Sequence, residues 1–239
     1  MDTILRLWEQ ENIDSLEGAS GVVLIGAGQF GRKALKRLFK KHPSLSFTVV
    51  DARKEAIDLA RREKVNFTGF AGDGIDYLVE NPPDEGAWII PAVPIHLAYL
   101  WLSRVLALSG FRIGPCPVPE ELSRRLPNPF HHDADCIFAS NATFLCPDHC
   151  SEPDGICTYT KEPRKPDLFS LIADSIPTGW AGAVVRSFQL APGIGGYPAK
   201  HLRLLEEWAK KLPAGRALII ATACRCHGVV HAGRILQVK

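Results

Sequence analysis

At 239 residues, with 46% hydrophobic and 23% charged side chains, the chain has the composition of a globular protein and the length for one large domain or two small ones. Lys and Arg number 28 against 26 acidic residues, and the charges divide evenly on either side of Val118. No segment has the basic excess that would neutralise a phosphate backbone, so nucleic acid is not an expected partner.

Residues 1–18, with Asp2, Glu9 and Glu11 among a few apolar side chains, are expected to be an N-terminal helical segment. They lack the basic start and unbroken apolar run of a signal peptide. A first domain is expected over residues 19–118. "VVLI" (Val22 to Ile25) is a wholly apolar run, as in a parallel strand covered on both faces. Gly26-Ala27-Gly28-Gln29-Phe30-Gly31 follows, and then a helical pattern with Ala34, Leu35 and Leu38 on one side. Glycines so placed permit a tight turn and bring a pyrophosphate close to the N–H groups of a helix start. The second strand, "FTVVDAR", ends at Asp51, where a carboxylate accepts hydrogen bonds from an adenosine ribose. Asp51 would repel a 2′-phosphate and favours NAD over NADP, while Arg53, beyond Ala52, keeps the phosphorylated form open.

A third strand, a Gly72-Asp73-Gly74 turn, a short helix and a fourth strand near Trp88 to Ile90 complete this unit. With "GAGQFG" and "VVD", the pattern resembles the nucleotide-binding (RCK/TrkA-N-type) domains of bacterial potassium uptake regulators over about residues 20–92. The resemblance implies a Rossmann-like parallel sheet in which Gly26, Gly28, Gln29, Phe30, Gly31, Asp51, Ala52 and Arg53 hold NAD or another adenine nucleotide, with Asp73 near the same crevice. The apolar stretch Ala87 to Leu108 is interrupted by Pro91, Pro94, His96 and Arg104, so it reads as a buried strand and helix, and no membrane span is expected. His96 is the single candidate acid/base group, against the blander reading of a packed or capping histidine. "FRIGPCPVP" is expected to add a fifth strand.

Residues 119–239 are expected to form a cysteine-rich α/β portion. From Pro117 to Pro166 the chain is rich in proline and short of periodicity, which asks for something else to hold it. Order returns with a short helix ("DLFSLIADS"), a strand, the turn of Gly193, Gly195 and Gly196, an amphipathic helix ("HLRLLEEWAKKL") and a strand ("RALIIATA") running into "CRCH". Cys146-x3-Cys150-x6-Cys157 and Cys224-x-Cys226-His227 are each incomplete as metal motifs. Together they offer the thiolates of a [4Fe–4S] cluster or of a zinc site, with His149 and His227 as further donors. Redox-active thiols and plain structural cysteines are the alternatives.

The expected protein is therefore a cytoplasmic, NAD(H)-binding Rossmann protein with a cysteine-ligated metal, and an NAD-dependent oxidoreductase if it is an enzyme. The alternatives are a non-enzymatic nucleotide- or redox-sensing regulatory subunit and a zinc-stabilised binding protein. A small molecule or a protein is the expected further partner, with a homodimer left open.

Overall fold

The computed structural model describes residues 4–9 and 15–237. The chain opens with β1 (Ile4–Arg6) and then alternates strand and helix: β2 (Gly21–Ile25), α1 (Gln29–Lys41), β3 (Ser46–Asp51), α2 (Lys54–Arg61), β4 (Thr68–Ala71), α3 (Gly74–Glu80), β5 (Ala87–Pro91) and α4 (Leu97–Leu108). Next come β6 (Phe111–Pro115), α5 (Glu120–Arg125), β7 (Phe130–Asp133) and β8 (Cys136–Ser140). A loop over residues 141–167 leads to α6 (Leu168–Ser175), β9 (Ala181–Arg186), β10 (Phe188–Ala191), β11 (Ile194–Pro198), α7 (Lys200–Lys210), β12 (Ala217–Ala223) and β13 (His227–Gln237). The expected N-terminal helix is corrected: Ile4 to Arg6 are extended and pair in parallel with Gly182 to Val184 of β9. The remainder of that expected segment falls partly on residues 1–3 and 10–14, outside the described residues.

The fold is α/β, and the described residues form two sheets. In the first, β4, β3, β2 and β5 lie side by side and parallel, as the Rossmann pattern requires, and the order runs on through β11 to β10. The second runs β1-β9-β12-β13-β8-β7, with β6 pairing the far half of the long β13. The alternation of side chains along each strand explains how both sheets are covered. Val22 and Leu24 pack with Leu35 and Leu38 of α1, whereas Val23 and Ile25 pack with Leu102 of α4 and Leu205 of α7. In β12, Leu218 and Ile220 join that same middle layer, while Ile219 and Ala221 turn outward to Phe169 and Ile172 of α6. The order of layers is thus helix, sheet, helix, sheet, helix.

The topology crosses residue 118 in both directions. β6, from before it, belongs to the second sheet, and the β10–β11 hairpin, from well after it, extends the first sheet through Tyr197↔Ile89 and Pro198↔Trp88. Ser187 alone separates β9 from β10, so the chain steps from one sheet to the other there. Its N–H is donated to the Ala223 carbonyl at 2.8 Å. The carboxyl ends of β5, β9 and β12 meet at this step, the kind of place where open α/β sheets take their ligands. The glycines after Pro192 are a hairpin and not a helix-start loop: Gly193 sits at φ +68° in the turn, and a Cβ on Gly196 would crowd the Ile89 carbonyl at 2.8 Å.

Candidate functional site

The three glycines after β2 have three different local reasons. Gly26 has φ +102°, a left-handed backbone, and a Cβ there would lie 2.6 Å from the Ala92 carbonyl oxygen. A Cβ at Gly31 would collide with the Gly26 carbonyl, so this glycine lets α1 pack on its own strand. At Gly28, the residue before α1, a Cβ would meet no protein atom within 4 Å. Protein packing therefore does not demand a glycine at that position; a ligand approaching the backbone would.

Asp51 ends β3 with its carboxylate turned to the same turn. Oδ2 accepts the Ala27 N–H at 2.8 Å and Oδ1 the Arg53 N–H at 2.9 Å. Burial works against ionisation, but these donors and the Arg53 guanidinium outweigh it and hold the carboxyl below the ordinary aspartate value. Ala52 and Arg53 are exposed beside it. Asp73 caps α3, its Oδ1 accepting from the N–H groups of Ile75 and Asp76 at 2.8 and 3.0 Å. Gln29 and Phe30 open α1 and are exposed, with Phe30 under the Lys33 ammonium.

Phe30 borders a cavity of about 490 Å³ whose other walls are Pro91 to Pro94 and the Gly193–Gly195 turn. A second cavity of about 420 Å³ shares Pro91, Gly193 and Gly195 with it and continues to Ser187, Thr222, Cys224 and His227. The two form one crevice from Phe30, at the start of α1, to the "CRCH" turn, and Gly26, Gly28 and Asp51 do not line it. His96 does not line it. The ring is 6% exposed and bonded through Nε2 to Thr222 Oγ1 at 3.0 Å and through Nδ1 to His231 Nδ1 at 2.9 Å. Burial, and next the neighbouring His231, push its pKa well below the ordinary histidine value.

The cysteines of the two distant loops come together. Cys146, Cys150, Cys157 and Cys226 line a single cavity of about 230 Å³ with Arg164 among them. Cys157 Sγ accepts hydrogen bonds from the backbone N–H and hydroxyl of Thr160 and from the Tyr159 N–H, which hold its pKa below the usual thiol value. Burial raises those of Cys146 and Cys226. Arg164 donates through Nη2 to Cys226 Sγ at 3.0 Å, while its buried Nε has no acceptor among the described residues. Arg225 ties the loops together, its N–H donating to Glu152 at 3.2 Å and its Nη1 to Asp154 at 2.6 Å.

Cys224 lies behind this cavity and faces the crevice. Its sulfur accepts the Cys226 and His227 N–H groups at 3.3 Å each, and burial together with the Glu152 charge pushes its pKa up to about 12. The His227 ring stands between Cys146 and Cys224, 3.8 Å from each sulfur. His149 is exposed and does not line the cavity. Among the described residues no three His, Cys, Asp or Glu side chains converge on a point close enough to hold a single ion. Arg164, Arg225 and Thr222 were not legible as site residues, because an arginine or threonine in a loop of this composition carries no motif.

The family model described as "Uncharacterized protein, C-terminal domain" (AF_1314_C) matches residues 98–236. The TrkA-N domain model matches residues 22–79, the stretch in which the glycine turn and Asp51 lie. An uncharacterized protein of Archaeoglobus fulgidus is 28% identical over 228 residues, which cover 88% of this chain and 97% of that one. No solved structure matches. Among the described residues no helix is long and apolar enough to cross a membrane.

Proposed function

The chain belongs to the AF_1314_C family, and from this membership, the TrkA-N unit before it and the crevice between them we propose a redox protein that holds NAD(H) at the glycine turn and a [4Fe–4S] cluster in the four-cysteine cavity. The observation that carries the proposal is the convergence of Cys146, Cys150, Cys157 and Cys226 on one cavity that adjoins the nucleotide crevice through His227. A single zinc ion binds sulfur at about 2.3 Å, which gathers four thiolates within about 4 Å of one another. These cysteines share a cavity, and among the described residues no three of them gather closely enough for a single ion, so the cluster is preferred to zinc. The buried Arg164 Nε, without an acceptor, suits an acid-labile sulfide.

At the other end, Gly28 leaves room for a pyrophosphate, the first N–H groups of α1 face it, and Asp51 is held ionised for the ribose. A bound nicotinamide would supply a two-electron reductant, and a cluster held by the four thiolates would supply one-electron transfer. This chain's residues bind the dinucleotide, line the crevice and hold the thiolates. Reduced thiols of this kind fit a cytoplasmic location. The experiment is anaerobic addition of NADH to the purified full chain, read by absorption and electron paramagnetic resonance. Bleaching of the visible band with a reduced-cluster signal supports the reading; a cluster indifferent to NADH opposes it.

The TrkA-N match also favours a second reading, in which nucleotide occupancy is sensed rather than consumed. In that case NAD and NADH change the affinity for a protein partner, and no electron acceptor is turned over.

A further inference from the structure

Thr222, His96 and His231 form a continuous hydrogen-bonded row that begins at the crevice wall. Thr222 lines the crevice, His96 Nε2 bonds its hydroxyl at 3.0 Å, and His96 Nδ1 meets His231 Nδ1 at 2.9 Å. Two neutral imidazoles bond nitrogen to nitrogen only when one carries the hydrogen and the other does not. The row therefore has two complete arrangements. In one, Thr222 donates to His96 Nε2 and His96 Nδ1–H donates to His231. In the other, His231 Nδ1–H donates to His96 and His96 Nε2–H donates to the Thr222 oxygen. Both satisfy every atom from the Thr222 oxygen to His231 Nδ1, and they differ by the movement of one proton along the row.

We infer that Thr222, His96 and His231 are a proton relay between the crevice and the surface around the β7–β8 turn. This inference rests on the reading of the crevice as a redox site. Passing a hydride's two electrons on singly leaves one proton behind, and the reverse reaction needs one; the one-electron acceptor outside the protein takes the electrons, and the relay takes the proton. A proton arriving at the Thr222 oxygen displaces the hydroxyl hydrogen to His96 Nε2, His96 passes its Nδ1 hydrogen to His231 Nδ1, and His231 releases one from Nε2. Atoms balance, and no charge stays on the buried ring. The far end is suited to release. His231 is only half-buried, and the groups facing it are the Asp133 and Asp135 carboxylates, the His132 ring and the stacked Tyr99 at 4.2 Å, with Cys136 opposite it in β8. His96, as a positioning residue behind Thr222, thus has a role besides packing.

The test is ¹⁵N resonance of the histidine rings in the labelled full chain, beside the NADH-dependent reduction of ferricyanide. Ring shifts of His96 averaged between the two tautomers, and driven to one tautomer in Thr222→Val but not in Thr222→Ser, support the relay. One fixed tautomer in the unaltered protein, the same in Thr222→Val, overturns it whether or not the protein turns over. In turnover, His96→Gln keeps both hydrogen bonds but transfers no proton, so kcat is expected to fall about 100-fold with the KM for NADH retained; an unchanged kcat and solvent isotope effect overturn the relay. Averaged tautomers in a protein that never oxidises NADH leave the relay standing and remove the redox reading alone.

Discussion

Lys33 Nζ donates to Asp148 Oδ2 at 2.6 Å, joining the helix behind the glycine turn to the loop between Cys146 and Cys150. Arg37, one turn further along α1, donates to the Asp148 carbonyl at 3.0 Å and to the Pro192 carbonyl. Gln189, in the hairpin added to the first sheet, donates to the Cys150 carbonyl. The cysteine loop is therefore docked on α1 and the first sheet as well as on the β12–β13 turn of the second. Asp148 is exposed, so the ion pair is screened and its effect modest. Asp148→Asn is expected to speed metal loss to a chelator about two- to fivefold, with little change in secondary structure. A rate of loss equal to that of the unaltered protein means the contact does not hold the loop.

The glycines are expected to separate binding from folding. A Cβ at position 28 meets no protein atom within 4 Å, so the thermal midpoint of Gly28→Val should stay close to that of the unaltered protein while nucleotide binding is lost. Gly31→Val drives a side chain into the Gly26 carbonyl and should destabilise the fold itself, by about 1–3 kcal/mol. Calorimetric titration with NAD and thermal unfolding of both variants check this. Retained affinity in Gly28→Val would reduce the motif to a turn.

Local patterns of this kind were legible in the chain because strand, turn and helix are adjacent in sequence. Val22 to Ile25, Gly26 to Gly31 and Asp51 each act on neighbours within one βαβ unit. The pairing of Tyr197 with Ile89 was not legible, since a glycine-rich hairpin more than 100 residues away carries no mark of the sheet it joins. Ile4 to Arg6 read as helical because three apolar-rich residues have no period to measure, and only the edge of β9 makes them a strand. His96 was legible as a histidine near the crevice. That Thr222 stands between it and the crevice depends on two strands folding back from the far end of the chain.

Cofactor preference follows from Asp51. Its ionised carboxylate is expected to make NAD-type ligands bind more tightly than 2′-phosphorylated ones, and Asp51→Asn should reduce that preference about tenfold. Fluorescence titration with NADH and NADPH reads both. Equal affinity for the two in the unaltered protein sinks the assignment.

Acid should destabilise the protein through His201. The ring is 1% exposed on α7 against Phe188, and its Nδ1 has no hydrogen-bond partner among the described residues. Burial, and next the Lys200 charge, lower its pKa to about 4. The folded state then resists protonation that the unfolded chain accepts from about pH 6.5 downward. This contribution to stability is complete above about pH 6.5, falls by about 3 kcal/mol as the pH drops to about 4, and is level below that. In His201→Leu, urea midpoints should lose less between pH 7 and 4 than in the unaltered protein. Parallel curves for the two would remove His201 as the cause.

Two loops some seventy residues apart in the chain are proposed to share one cluster. The most direct measurement is iron, sulfide and zinc content with the visible spectrum of the full chain purified without oxygen, alongside single Ser variants of its cysteines. A shared cluster makes the protein brown, with a broad band at about 400 nm. The band and the iron should be lost from Cys146→Ser, Cys150→Ser, Cys157→Ser and Cys226→Ser alike and kept in Cys116→Ser. A colourless protein with one zinc or no metal, or iron that survives Cys226→Ser while Cys150→Ser loses it, would contradict it.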